Sequence, residues 1–381
     1  MLRSHYQTFH EAIGDRLHVL AHSHHPWPDV TREAQLAYWN DSARLAERKW
    51  QKIYDGVIPV AQAHVARLLN IDAPARIAFA PNTHELVARL YSCLDWSRPL
   101  RVLTTDREFA SFARQTQRLE ETGRVQVTRV AVAPYESFVE RFSAAVAERY
   151  DFVYLSHVFY DSAFVVDPLE RIVAAAHPEA LFCIDGYHAF NALPIDLSRI
   201  AERVYYLAGG YKYAQAGEGV CFMSLPRDCA LRPVYTGWFA DTATQSARVE
   251  YAPDAQRFAG ATFDAGGLYR FNAVMHWQRD LGIGPADIHA HAVQLQADFL
   301  DGLAEMELQR LPLTALRPPL GQPRGNFLSF ELNDAAAVEA QLRAHDILAD
   351  RRGNRLRFGF GLYHDTTFMN RLLARLRIAL H

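Results

Sequence analysis

Residues 181–219 read LFCIDGYHAFNALPIDLSRIAERVYYLAGGYKYAQAGEG. The apolar run Leu181-Phe182-Cys183-Ile184 stops at Asp185, and His188 stands three residues further on. A second run, Val204 to Leu207, ends at Gly209-Gly210 and is followed by Tyr211-Lys212-Tyr213. Short apolar runs bounded by glycine read as buried strands, parallel ones in particular. Side chains just past the ends of such strands line the crevice where open α/β sheets bind ligands. Asp185 and Lys212 therefore belong at neighbouring strand ends, 27 residues apart (212 − 185), a spacing that fits one crossover or hairpin-like connection.

A carboxylate and a lysine so placed are the pair that pyridoxal phosphate (PLP) requires. The lysine forms a Schiff base with the cofactor aldehyde, and desolvation lowers its pKa enough to make it a nucleophile. A carboxylate against the pyridine nitrogen favours the protonated ring, a better electron sink. His188 is placed to orient Asp185 or to reach the phenolic oxygen of the cofactor. A structural salt bridge fits a lone Asp and Lys equally well. The flanks favour the cofactor, because Gly209-Gly210 and Gly217-Glu218-Gly219 let backbone approach a bulky ligand.

The segments D-G-Y-H, G-G-Y-K-Y and A-G-E-G resemble the cofactor-lysine region of the class V aminotransferase family of fold type I PLP enzymes. Within it they are most similar to the kynureninase-like members, which carry a D-x-x-H pair and Y-K-Y before an Ala-Gly-rich turn. The resemblance runs from about residue 18 to the end of the sequence. It implies Lys212 and Asp185 as catalytic residues with His188, and Tyr211 beside the cofactor. It also implies a homodimer with active sites at the subunit interface.

Composition excludes other classes. The 381 residues are 50% apolar and 22% charged, ordinary for a globular protein, and a formal charge of −3 gives no reason to expect nucleic acid or a membrane surface as partner. Cys93, Cys183, Cys221 and Cys229 form no C-x-x-C pair and read as reduced core residues of a cytoplasmic protein. The first twenty residues have no apolar signal-like core, and no stretch approaches a membrane span.

Upstream, His22-Ser23-His24-His25 invites a metal reading, but no second ligand cluster with suitable spacing follows, and no metal is expected. The equivalent loop of the family approaches the active site; Ser23 matches it, so Ser23 and His24 are candidate substrate contacts. Thr31 to Tyr54 reads as one long helix, with no proline or glycine inside it. Strand 76–80 runs into Pro81-Asn82-Thr83-His84-Glu85, where Asn82 and Glu85 stand at capping-box spacing. Such a helix start holds a phosphate or is merely a capped helix; the resemblance makes Asn82 and Thr83 the phosphate ligands. Phe109, after strand 100–104, reads as core packing, and the resemblance makes it the residue stacked on the pyridine ring.

The alternation continues through strand 125–130, helix 136–149, strand 152–156 and helix 167–177, which argues a doubly wound, mostly parallel α/β sheet. Ser156-His157-Val158-Phe159-Tyr160 resembles the family's S-Q-V-N-Y, which would turn His157 and Tyr160 toward the cofactor; Ala163 replaces a family glycine. Residues 235–270 form a long loop with little periodicity, the kind that carries function. Its Gly237-Trp238 pair and Gly260-Ala261-Thr262 resemble the family, with Trp238 toward substrate and the Thr262 hydroxyl toward the phosphate of the neighbouring subunit. A smaller C-terminal α/β domain follows. The alternating arginines of Arg351-Arg352-Gly353-Asn354-Arg355-Leu356-Arg357-Phe358 read as a solvated strand face, whereas the resemblance makes Arg357 the clamp on the substrate α-carboxylate. Three segments result: 1–56 packing on the small domain and active site, 57–270 binding PLP, and 271–381 forming the small domain.

The expected function is PLP-dependent, kynureninase-like cleavage at the side chain of an α-amino acid. An aminotransferase or C–S lyase of the same family is the alternative, and a non-catalytic PLP-binding protein is the alternative from another class. A persulfide route needs a cysteine in the last third, and none follows Cys229. A nicotinamide enzyme is disfavoured because no G-x-G-x-x-G opens a helix after a strand.

Overall fold

Apolar runs of four to six residues alternate with amphipathic helices, and each needs a covering layer for its apolar face. The computed structural model describes residues 2–242 and 247–381. Helix α1 (Gln7–Ile13) and strand β1 (Leu17–His18) lead to α2 (Val30–Leu45), α3 (Lys49–Lys52) and α4 (Ile58–Leu69). Then come β2 (Ile77–Ala80), α5 (Thr83–Ser92), β3 (Leu100–Thr105), α6 (Ala110–Glu121), β4 (Val125–Val130), α7 (Phe138–Val146), β5 (Phe152–Ser156) and α8 (Leu169–Ala175). Strands β6 (Leu181–Asp185), β7 (Tyr205–Gly209) and β8 (Cys221–Ser224) follow, before α9 (Gly266–Asp280) and α10 (Pro285–Met306). The chain closes with β9 (Phe327–Glu331), α11 (Ala335–Ala344), β10 (Ile347–Leu348), β11 (Asp350–Arg352), β12 (Arg355–Gly359) and α12 (Thr366–Leu380).

The seven-stranded sheet has the order β2-β8-β7-β6-β5-β3-β4. Pairs from β4 through β7 are parallel, and only β8 runs antiparallel to its neighbours. Both faces are covered, as the uninterrupted apolar runs require. Successive residues of β5 divide between two cores: Val153 and Leu155 join one, Phe152 and Tyr154 the other. The parallel register pairs Ser156 with Asp185 and Asp185 with Leu207, so the carboxyl ends of β5, β6 and β7 lie level. Removing a side chain such as Leu155, fully buried, costs about 2–5 kcal/mol.

In the smaller sheet, β12 lies between β11 and β9. Leu356, Phe358, Leu328 and Phe330 point to an apolar core with α10, α11 and α12. The alternate residues Arg355 and Arg357 therefore take the other face. They are 8% and 2% exposed, so the solvated-face reading of these arginines is corrected. Strand β1 pairs in parallel with β10, and Leu20 bridges Gly359, which carries the segment 20–25 across the end of this sheet.

One expectation changes. The helix expected over Thr31–Tyr54 breaks after Leu45, where Ala46 adopts φ 49°. The redirected chain brings Trp50 and Tyr54 onto Phe239, at 5.2 and 4.8 Å between centroids. Ala163, in place of the family's glycine, does adopt a left-handed φ of 65°, which explains why glycine suits the position. Among the described residues no helix is long and apolar enough to cross a membrane. No group of three or more His, Cys, Asp or Glu among them is placed to hold a metal.

Candidate active site

Asp185 ends β6 and Lys212 follows β7, and both line one cavity of about 140 Å³. Lys212 is 4% exposed. Its Nζ donates to His188 Nε2 at 2.5 Å and lies over the rings of Tyr187, Tyr211 and Phe109 at 4.8, 5.6 and 5.6 Å. Burial lowers the ammonium pKa to about 7; Asp185 opposes that shift, while Arg357 and Arg352 add to it. The amine is thus half neutral near physiological pH, as a nucleophile requires. Burial also drives His188 well below its ordinary range, with Lys212 and Arg357 adding to the effect, so its ring is neutral and accepts from the lysine.

Asp185 is oriented by Tyr154, not by His188. The Tyr154 hydroxyl donates to Oδ2 at 2.8 Å and the Tyr187 backbone N–H to Oδ1 at 2.9 Å. Burial raises the Asp185 pKa, and these two donors and Lys212 oppose it. Tyr154 itself stacks on Phe112 with centroids 3.8 Å apart, which fixes the hydroxyl.

Across the cavity, α5 begins at Thr83 with Asn82 as its cap. Asn82 Oδ1 accepts from the Glu85 N–H at 2.9 Å, which is half of a capping box; the Glu85 carboxylate turns instead to Arg89 at 2.7 Å. Pro81, Asn82 and Thr83 line the cavity, so the positive end of the helix faces Lys212's chamber. Phe109 lines it too and meets Tyr160 edge-on at 5.3 Å. Aldehyde-reactive lysine, buried carboxylate, aromatic face and helix N-terminus are the donor set PLP needs, and the residues fit the cofactor.

A second chamber of about 30 Å³ shares Phe109, Tyr160, His188, Tyr211 and Lys212 with the first. Ser23, His24, Arg352 and Arg357 complete it. Arg357 donates to the Tyr160 carbonyl and pairs with Asp350, and His24 stacks on Tyr211 at 5.7 Å. Tyr213, on the far side of Lys212, donates to the Asn326 carbonyl at 2.6 Å and ties the lysine loop to the start of β9.

Two expected residues lie elsewhere, and Thr262, expected at the neighbouring subunit's phosphate, lies outside this chain's own cavity. His157 faces the opposite side of the sheet, because β5 side chains alternate; its Nδ1 meets the Tyr206 hydroxyl at 3.1 Å. Trp238 is 62% exposed and stacks on Phe239 at 3.9 Å. Thr262 lines a separate cavity of about 630 Å³ with Tyr235, Gly260 and Arg89, on the other side of Pro81. Positions 243–246 of the 235–270 loop lie outside the described residues. The glycine argument is corrected as well. A Cβ on Gly209 would come within 2.3 Å of the Tyr187 hydroxyl and one on Gly217 within 2.2 Å of Trp27, so these glycines admit protein, not ligand. Only Gly219, at φ 86°, lines the cavity.

Sequence reading missed Tyr154 and Arg270. Arg270 donates to the carbonyls of Ala216 and Glu218 at 2.8 and 2.6 Å and holds the turn after Lys212. Tyr154 had one signal: it precedes Ser156 by two on a strand whose end faces the site.

The Aminotransferase class-V family model matches residues 29–353. The chain is 27% identical over 230 residues to kynureninase of Pseudomonas fluorescens, covering 58% of this chain and 54% of that protein. It is 27% identical over 184 residues to isopenicillin N epimerase of Streptomyces clavuligerus, covering 47% and 46%. The matches thus span about half the length of these curated relatives. In fold it is similar to a mutant of C-DES with glycine covalently linked to its PLP cofactor, with a TM-score of 0.84, 21% identity and 98% of each chain covered. A cysteine desulfurase of Thermococcus onnurineus NA1 superposes with a TM-score of 0.82 at 16% identity, covering 100% of this chain and 97% of that one. The family match takes in Asn82, Asp185 and Lys212 and most of the chain. This chain belongs to the class V aminotransferase family.

Proposed function

We propose that the chain is a PLP-dependent enzyme that takes an α-amino acid and cleaves a bond at its side chain, in the manner of the kynureninase-like members. The observation that supports this is the shared wall of the two chambers: Lys212 and His188 stand between the cofactor cavity and Arg357. Bound PLP supplies an electron sink conjugated to the Cα–H bond. Lys212 would hold the cofactor through Nζ and, once the substrate amine has displaced that nitrogen, would take the Cα proton on it; His188 Nε2 fixes where Nζ points. Asp185 serves the pyridine nitrogen, Phe109 a ring face, and Asn82 with Thr83 the phosphate. Arg357 holds the α-carboxylate by charge-assisted hydrogen bonds.

Borohydride reduction of the yellow holoenzyme, followed by peptide mapping, should place a phosphopyridoxyl label on Lys212. A label on another lysine, or none, would sink the assignment. C–S cleavage of a small amino acid is the second reading. The arginines beside Lys212, with Ser23 and His24 closing the chamber, also suit a compact amino acid.

The same reading includes a homodimer and the segments 1–56, 57–270 and 271–381. The cavity of about 630 Å³ holding Thr262 opens beside exposed Tyr235 and Trp238, 64% and 62% exposed, a surface suited to a second copy. Sedimentation showing a fully active monomer at assay concentration would remove it.

A further inference from the structure

The inward face of the small sheet carries more charge than one carboxylate clamp needs. Register across the β11–β12 hairpin sets Asp350 opposite Arg357 and Arg352 opposite Arg355, so all four lie on one face. Asp350 meets the Arg357 fork through Oδ2, while its Oδ1 lies 3.7 Å from Arg352 Nη1. That second distance is too long for a hydrogen bond. Arg352 is 46% exposed, lines the small chamber beside Arg357 and Lys212, and makes no side-chain hydrogen bond among the described residues. Arg357 keeps a buried Nε without a partner. One carboxylate thus stands between two guanidinium groups that both line the chamber, and donor capacity remains on both.

We infer that the substrate is a small amino acid whose side chain ends in an acidic group, with Arg357 taking the α-carboxylate and Arg352 the side-chain anion. This rests on the proposed function and names the substrate class for that site. An apolar side chain would strip water from Arg352 and return nothing, a loss that a neutral ligand cannot offset. An anion meets a fork already in place, whose ion pair with Asp350 Oδ1 at 3.7 Å is too long for a hydrogen bond. Asp350 does not already satisfy Arg352, since its nearer contact is with Arg357.

The test is calorimetric titration of the holoenzyme with two unreactive probes, succinate and propionate. Wild type should bind succinate tighter by roughly tenfold or more. Arg352→Gln should bring succinate down to the propionate level and leave propionate within about twofold, whereas Arg357→Leu should weaken both probes. Equal binding of the two probes by wild type overturns the inference, as does an Arg352→Gln protein that keeps the succinate preference. Arg352 is half-exposed, so the variant folds if its melting temperature matches wild type, and a mismatch is checked with Arg352→Lys, which should keep part of the preference. The borohydride label on Lys212 reports on the parent reading independently: a labelled lysine without succinate preference refutes the substrate class alone.

Discussion

Lys212 and Arg357 are both cations at least 95% buried, one at the carboxyl edge of the large sheet and one on the inward face of the small sheet. Their surroundings differ. Lys212 meets a neutral imidazole and three aromatic faces, and no carboxylate within ion-pair distance among the described residues. Arg357 meets the Asp350 carboxylate and a backbone carbonyl. Burial lowers both pKa values, but Lys212 falls to about 7, while Asp350 opposes the shift of Arg357, whose guanidinium stays protonated in proteins. Equal burial therefore produces a nucleophile in one place and a fixed charge in the other, because the guanidinium is intrinsically more basic and keeps a counter-ion in contact.

The largest test of that contrast is Lys212→Ala. Loss of the positioned base should reduce turnover roughly a hundred- to ten-thousandfold, with no label on borohydride reduction; turnover above a tenth of wild type would break the contrast. In wild type, attachment of PLP to the apoprotein should speed up as pH rises through about 7, where the ammonium loses its proton. A midpoint near 10 would show that Lys212 is not desolvated. Next comes Arg357→Leu, which should weaken binding of a carboxylate-bearing amino acid by roughly ten- to over a hundredfold. The decarboxylated amine should be unaffected, and equal losses for both ligands would return Arg357 to a structural role.

What the sequence could tell follows the same line. Asp185, Lys212, Phe109 and the Asn82 helix start stand at ends of regular elements, where periodicity and turn chemistry mark positions, and the structure gathers them around one cavity. Arg357 needed more than pattern, because a strand of alternating arginines reads identically whether its face meets water or a second sheet. His157 failed for the opposite reason: strand parity past Ser156 was overridden by a motif match, and parity holds. Trp238 stacks on Phe239, which Trp50 and Tyr54 reach only after the helix break at Ala46, and no proline or glycine announced that break. Tyr154 offered only its parity with Ser156, because its role is cross-strand, set by the pairing of β5 with β6.

Tyr154→Phe sharpens the comparison from the carboxylate side. Burial raises the Asp185 pKa, and two donors and Lys212 oppose that shift. Removing the hydroxyl deletes one donor to a charged acceptor, about 1.5 kcal/mol or roughly tenfold in the ionisation balance. The Asp185 pKa then rises further, so the acid limb of the pH–rate profile should move up by about one unit. An unmoved limb would mean that Tyr154 only packs.

Glu108 has the smallest effect on turnover and supplies the third member of the comparison, a buried group with no counter-ion at all. It is 7% exposed and accepts from the Ser156 and Thr105 hydroxyls at 2.5 and 2.8 Å. Burial raises its pKa from 4.5 to about 8, those donors oppose the shift, and Asp185 adds to it. Near neutral pH the folded protein therefore keeps a proton that the unfolded chain has released. Between 4.5 and about 8 the native state binds the extra proton, so this group's contribution to stability falls as pH rises. The slope is at most about 1.4 kcal/mol per pH unit. Glu108→Gln keeps the shape and cannot ionise, so the melting temperature of its apoprotein should decline less than wild type between pH 5 and pH 8, with turnover at pH 7 within about twofold. Parallel melting curves across that range would show that Glu108 is ionised in the fold, and that burial without a counter-ion does not decide protonation here.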